Sequence, residues 1–213
     1  MLERNIMIVD DDDKTESIHI PSYKRKLDEL KKQSEKWHHH IFNLFHMISM
    51  GDALEFLAQS GNYVDVLLVD YKFLNVNTFV NGADFVKHIR DNVNRQCQIV
   101  FYTMHGVDSI PNTELVSLIN SNVFMFVDKS ANTNVVAQAI FDACTLGNPV
   151  VESLERFYQK YKIMLEAKRY TLADEDASFE DIINHIRMDD EIGRSFVEKL
   201  LQKAILLETD LKD

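Results

Sequence analysis

The sequence predicts a doubly wound α/β domain on a five-stranded parallel sheet, followed by a small all-helical module. Three observations predict it. Five short apolar runs alternate with five amphipathic stretches before Pro149, and near-continuous apolar strands alternating with helices mark a parallel sheet covered on both faces. Turn-forming residues then stop. The prolines are Pro21, Pro111 and Pro149, and Gly193 is the one glycine beyond them, a shift from turn-rich to helical composition. Finally, charged and hydroxyl side chains stand at the ends of the apolar runs, the edge where parallel sheets collect ligands.

The elements follow in order. The strands are Asn5–Val9, Ile41–Ile48, Val64–Val69, Gln98–Tyr102 and Val123–Val127, each rich in β-branched and aromatic residues. Between them, Tyr23–Trp37 aligns Tyr23, Leu27, Leu30 and Trp37 on one helical stripe. Asp52–Gln59, Asp84–Ile89 after Gly82, Asn112–Ile119 and Thr133–Leu146 supply the other helices. The first domain spans residues 1–149 and the helical module residues 150–213.

In the module, Val150–Arg169 continues as a helix. Val151, Leu154, Tyr158, Tyr161 and Leu165 recur at alternating spacings of three and four, a short heptad seam. That seam packs on the flank of the first domain or on a second copy. Ser178 N-caps a second helix with Asp181 at its third position, close to a capping box. Asp189-Asp190-Glu191 opens a third, where negative charge suits the helix dipole. Its Ile192, Phe196, Val197, Leu200, Leu201, Ala204, Ile205 and Leu207 form a stripe too wide to stay exposed, so the module is expected to be compact and buried against itself, the first domain or a second subunit.

Charge excludes several classes. The 213 residues carry a formal net charge of −11 and a pI near 5.1, which argues against a protein that coats nucleic acid by charge. The third helix of the module offers Arg194, Lys199 and Lys203 amid Glu191, Glu198 and Glu208, unlike the polar, basic face of a recognition helix. No apolar run approaches the ~20 residues of a membrane span. The acidic start MLERNIMIVDDDDK carries no export signal, and the two cysteines, Cys97 and Cys144, suit a reduced, cytoplasmic protein.

The strand ends carry one constellation. Strand 1 ends in Asp10-Asp11, followed by Asp12 and Asp13; strand 3 ends in Asp70; strand 4 ends in Thr103; Asp128 and Lys129 follow strand 5. Carboxylates gathered at one edge repel each other unless a divalent cation sits among them, and hard oxygen ligands of this kind suit Mg²⁺. A hydroxyl and an ammonium beside it complete a phosphoryl-binding site, so the pattern points to phosphoryl chemistry at a carboxylate.

The pattern resembles the receiver domain of bacterial two-component response regulators over roughly residues 4–147. IMIVDDDD looks like the family's first strand, with its acidic pair on Asp10 and Asp11, and VDVLLVDYKF places the phospho-accepting aspartate on Asp70. The family's Thr/Ser falls on Thr103 in VFYTMHG, its lysine on Lys129 in FMFVDKS and its aromatic switch position on Phe126. The resemblance implies a flavodoxin-like fold and an Mg²⁺ bound at Asp10, Asp11, Asp70 and the Lys72 backbone carbonyl. It also implies a sensor histidine kinase or phosphotransfer protein as partner.

Some features depart from the family. Sixty positions separate Asp10 from Asp70, the excess falling in Lys14–Pro21 and a long first helix. The loop from Asp70 to Gly82 is enlarged, Met104 follows Thr103 where a small residue is usual, and Ser130 follows Lys129 in place of proline. Other features read as ordinary surface: Asp12 and Asp13 as a solvated loop, His38-His39-His40 as side chains pointing in divergent directions. The run from Lys24 to Lys36 reads as the wet face of the first helix, and His185 as a helix-surface histidine.

The function expected is a signalling switch, not an enzyme: a receiver phosphorylated on Asp70 that controls a helical interaction or dimerisation module, as a homodimer. Two alternatives stand beside it, a phosphate sink without output and a transcription regulator with an atypical DNA-binding tail.

Overall fold

A computed structural model describes residues 2–33, 35–59, 62–74, 79–104, 106–172 and 175–210. The chain divides into two compact units, Met1–Gly147 and Asn148–Asp213. Among the described residues, no helix is long and apolar enough to cross a membrane.

In the first unit, strands β1 (Leu2–Val9), β2 (His40–Met47), β3 (Val66–Asp70), β4 (Gln98–Thr103) and β5 (Met125–Asp128) form one sheet. Its order is β2-β1-β3-β4-β5 and every pairing is parallel. Helices α1 (Ile20–Lys32), α2 (Met50–Ala58), α3 (Gly82–Asn92), α4 (Asn112–Asn120) and α5 (Thr133–Thr145) connect them. The two-residue period of each strand divides its side chains between two cores. Met7, Val9, Leu67, Val69, Ile99 and Phe101 meet α2, α3 and α4 on one face. Ile6, Ile8, Val66, Leu68, Val100 and Tyr102 meet α1 and α5 on the other.

Short polar residues start α2, α3 and α5. Ser49 accepts from Asp52 N, Asn81 from the N–H groups of Ala83 and Asp84, and Asn132 from Asn134 N, each satisfying donors that a first helical turn leaves open.

The first helix differs from expectation. It ends at Lys32, and Trp37 belongs to a separate 3₁₀ turn, Glu35–Trp37. Trp37 still reaches the same core as Tyr23 and Leu27, its ring 4.3 Å from His40 and 5.4 Å from Phe141. Its burial produced the apparent stripe, although the helix had already stopped. The extra length before this helix is a π-helical turn, Thr15–His19, which runs directly into α1. Of the enlarged loop after Asp70, residues 75–78 lie outside the described residues.

The second unit contains α6 (Pro149–Glu166), a short antiparallel hairpin β6 (Tyr170–Leu172) and β7 (Glu175–Ala177), then α7 (Phe179–Met188) and α8 (Glu191–Asp210). The sequence reading lacked the hairpin: three-residue strands leave no periodicity to detect. Asn148 caps α6 with Pro149 in its first turn. Ser178 and Asp181 complete a reciprocal capping box on α7.

The Val151–Leu165 seam has a different partner from either one expected. Val151, Tyr158 and Leu165 are buried with Phe179, Ile182, Ile183 and Ile186 of α7, inside the unit. Tyr161 departs from the line, with non-helical backbone at φ −118°, ψ 25°, and is partly exposed. The seam is thus an intramolecular helix contact and no free face for a second copy. The α8 stripe is buried within the unit only in part. Phe196 and Val197 pack on the α6–α7 cluster, but Leu200, Leu201, Ile205, Leu206 and Leu207 are exposed.

Candidate functional site

Parallel register brings the strand ends together. Val9 pairs with Val69, Asp70 with Tyr102, and Thr103 with Asp128, so Asp10, Asp70, Thr103 and Lys129 all emerge at the carboxyl edge. Lys129 N donates to Thr103 O at 2.9 Å, extending the ladder by one residue. Gly82 closes the site from behind. Its N–H donates to Tyr71 O at 2.9 Å, and a Cβ at this position would come within 2.0 Å of Asp70 O. Only glycine lets α3 approach the end of β3 so closely.

Lys129 is the centre of charge. Its Nζ lies 2.8 Å from Asp10 Oδ1 and 2.8 Å from Asp70 Oδ2, bridging two buried carboxylates. Asp10 is completely enclosed. Its Oδ1 also accepts from Asp12 N at 3.0 Å, and its Oδ2 accepts from the Thr15 hydroxyl at 3.0 Å and from the Tyr102 hydroxyl. Asp70 Oδ1 accepts from Tyr71 N at 2.7 Å. Asp11 Oδ2 accepts from Leu74 N at 2.5 Å, tying the loop after β3 to the end of β1.

The two buried acids are tuned in opposite directions. Burial pushes Asp10 up, but Lys129, Tyr102 and the Asp12 N–H together outweigh it and hold the carboxyl below its ordinary value. At Asp70 burial wins: with the neighbouring Asp10 charge it keeps the carboxyl above its ordinary value against the pull of Lys129 and the Tyr71 N–H. Burial lowers Lys129, but the two carboxylates more than reverse this and raise it. Tyr102 is held well above the usual phenol range by burial and then by Asp10, so it remains a donor.

The donor set fits a hard divalent cation. Asp10, Asp11 and Asp70 each offer one oxygen, all within 4.8 Å of one another, and all-oxygen sites of this size suit Mg²⁺. The four donors on Asp10 match the roughly four lone-pair sites of a carboxylate. Asp11 and Asp70 are therefore better placed for direct coordination, with Asp10 acting from outside. Lys72 lies two residues beyond β3 and is exposed. Among the described residues, the histidine triplet contributes nothing to this cluster: His38 and His39 are exposed, and the buried His40 ring lies against Trp37.

Thr103 is buried at the end of β4, and Met104 beside it is 55% exposed. Phe126 is partly buried, its ring 5.9 Å from Phe101, which lies 6.0 Å from Tyr71. An aromatic row thus runs from the Phe126 position to the residue beside Asp70.

Sequence reasoning missed Tyr102, Thr15 and Gly82. Tyr102 gave a usable signal: a tyrosine inside an apolar strand needs a partner for its hydroxyl, and the strand end nearby held unpaired carboxylates. Thr15 gave none.

A strand order of 2-1-3-4-5 with an acidic cluster at the carboxyl edge decides the architecture. Residues 1–147 have the receiver fold. The chain is similar to several solved structures. The adenylate cyclase structure from Rhodopirellula baltica is 21% identical, with 75% of this chain and 99% of that one covered and a TM-score of 0.51. A response regulator receiver domain protein from Methanospirillum hungatei is 15% identical, covering 68% and 95%, with a TM-score of 0.49. A response regulator from Thermotoga maritima is 13% identical, covering 68% and 99%, with a TM-score of 0.47. No protein-family model and no curated protein matches the sequence. At such identities the likeness concerns the fold of the receiver unit.

Proposed function

We propose that the chain is a response regulator whose Asp70 accepts a phosphoryl group from a sensor histidine kinase or phosphotransfer protein. One observation carries this reading: Asp70 shares a buried edge with Asp10, Asp11 and Lys129, within hydrogen-bond reach of the lysine. An Asp70 oxygen bonds to phosphorus as the bond from phosphorus to the donor's imidazole nitrogen breaks, leaving an acyl phosphate. Asp11, Asp70 and the Lys72 carbonyl would hold an Mg²⁺, with Asp10 orienting them, and the ion would supply positive charge to the phosphoryl oxygens. Lys129 offers a second positive charge, and the Thr103 hydroxyl a hydrogen bond to the transferred group.

Once Asp70 carries phosphate, Lys129 and Thr103 turn toward the new oxygens, and Phe126 repacks into the space that Thr103 leaves. A tenfold population shift requires only about 1.4 kcal/mol, which charge-assisted hydrogen bonds can supply. The second unit receives the signal as a helical interaction module, and homodimerisation belongs to the same reading. The Val151–Leu165 seam is not its surface, because α7 covers it.

The test is incubation of the full chain with a small acyl phosphate and Mg²⁺, followed by intact mass measurement. Wild type is expected to gain one hydroxylamine-labile phosphoryl group and Asp70→Asn none, with unchanged circular dichroism. Equal labelling of Asp70→Asn would assign the acceptor elsewhere. Labelling without any change in assembly or partner binding would favour a phosphate sink.

A further inference from the structure

The donors on Asp10 differ in their freedom to move. On Oδ1, the Asp12 N–H belongs to the backbone, whereas the Lys129 ammonium ends a flexible stem and is already shared with Asp70 Oδ2 at 2.8 Å. On Oδ2, the hydroxyls of Thr15 and Tyr102 belong to buried side chains. Tyr102 is packed in the core between the sheet, α1 and α5. Lys129 is therefore the donor that can leave.

Its departure has a consequence for Asp10. A buried carboxylate that loses a donor bears its full desolvation penalty, and Asp10 has no water to turn to. When Lys129 turns toward an acyl phosphate on Asp70, the Asp12 N–H, Thr15 and Tyr102 remain, and both oxygens of Asp10 stay hydrogen-bonded. Neither hydroxyl is demanded by the fold. Tyr102 shares its face of β4 with the apolar Val100. Thr15 comes from the π-helical turn Thr15–His19, the extra length before α1, so the lengthened connection brings one of the two hydroxyls to the site.

The Tyr102 ring has a separate effect. Its centroid lies 5.3 Å from Lys129 Nζ, within the range of cation–π attraction. Phenylalanine keeps that attraction, so Tyr102→Phe removes the hydroxyl's contribution alone.

We propose that Tyr102 is a positioning residue which, with Thr15, keeps Asp10 hydrogen-bonded so that Lys129 is free to leave it for a phosphoryl group. This rests on Asp70 as the phosphoryl acceptor. Without the Tyr102 hydroxyl, Asp10 keeps only two donors once the lysine departs. It then holds the lysine back, and the phosphorylated state is the one weakened.

The full chain is titrated with beryllofluoride and Mg²⁺, a mimic of a phosphoryl group on a carboxylate, with fluorine NMR reading the affinity and nitrogen NMR the Lys129 ammonium. Tyr102→Phe binds the mimic about tenfold more weakly than wild type, and Thr15→Val is weakened in the same direction. Before the mimic is added, the Lys129 ammonium signal is retained in both variants, because its bridge between Asp10 and Asp70 is intact. In a Lys129→Met background no lysine can be held back, so Tyr102→Phe leaves mimic affinity unchanged there. A merely structural role for Tyr102 would weaken binding in both backgrounds, which overturns the proposal. Equal affinity of wild type and Tyr102→Phe also overturns it. Should Tyr102→Phe fail to fold, Thr15→Val carries the same comparison in the two backgrounds. A wild type that neither binds the mimic nor takes up acyl phosphate overturns the reading of Asp70, and the proposal with it.

Discussion

The Tyr102 hydroxyl donates to Asp10 Oδ2 across 92 positions of sequence. Tyr102 is 1% exposed and Asp10 wholly buried, so neither group has water as a substitute. A buried hydrogen bond to a charged acceptor contributes about 1.5–3 kcal/mol. Tyr102→Phe is therefore expected to lose about that much at neutral pH, read from urea unfolding in chelated buffer. The sign of its pH dependence follows from Asp10. A depressed carboxyl stabilises the fold above its unfolded pKa, and that stability disappears as pH falls through the lower folded value. The gap between wild type and Tyr102→Phe should close in acid, below about pH 4. A gap that persists there would show that ring packing, not the hydrogen bond, had been disturbed.

Asp70 has the opposite sign. Burial and the Asp10 charge hold it above its ordinary value, so the folded state favours its protonated form. Its favourable contribution is present below the unfolded pKa and is lost as pH rises through the folded value. At pH 7 the ionised Asp70 thus works against the fold, and Asp70→Asn is expected to melt higher than wild type. The difference should shrink toward pH 4. Calorimetry in chelated buffer at the two pH values decides it. A lower melting temperature for Asp70→Asn at pH 7 would mean that the pair with Lys129 outweighs the burial of the charge.

The first unit was legible because its signals are independent and agree. Apolar runs located all five strands, and polar residues after them located Asp10, Asp70, Thr103 and Lys129 at the correct edge. Trp37 shows the limit of stripe reading. A buried aromatic extends the apparent helix whether or not the backbone continues, since periodicity records burial alone. The second unit was less legible for a related reason. The Val151–Leu165 spacing correctly marked a packed seam, but spacing does not say whether α7 or another chain packs there. Gly193 was visible as the one late glycine, yet its close contact with His185 O required the crossing of two helices to be known. Tyr102 and Thr15 reach Asp10 only because β1 and β4 flank β3 and the chain turns back at Thr15. No local pattern carries that information.

Gly82 links backbone packing to the site. A methyl group there would meet Asp70 O at 2.0 Å and Val69 Cγ1 at 3.1 Å, and the first of these is backbone that cannot swing aside. Gly82→Ala must move α3 or the end of β3, at a cost of about 1–3 kcal/mol. Because the displaced atoms belong to Asp70, phosphorylation by a small acyl phosphate should slow by more than tenfold even where the variant is fully folded. Gly51→Ala is the control. Its added methyl would contact only Ser49 Oγ at 3.7 Å, so it should leave the labelling rate unchanged. Equal rates for Gly82→Ala and wild type would show that the strand end absorbs the shift without moving the carboxylate.

Glu155 and Arg187 form a buried ion pair in the second unit. The side chains are 5% and 9% exposed and join α6 to the last turn of α7. Removing one partner of such a pair leaves a charge without compensation, typically costing about 3–5 kcal/mol, whereas replacing both with apolar residues of similar volume is often neutral or favourable. Glu155→Leu alone should therefore destabilise the unit severely, and Glu155→Leu/Arg187→Met should recover most of the loss. The single tryptophan separates the units in one experiment, because Trp37 lies in the receiver unit. Far-ultraviolet circular dichroism should show an early transition in Glu155→Leu while Trp37 fluorescence unfolds as in wild type. The double variant should bring the two signals back to their wild-type midpoints. If the double variant is as unstable as the sum of its single changes, the two side chains act independently and the pair does not hold α6 to α7.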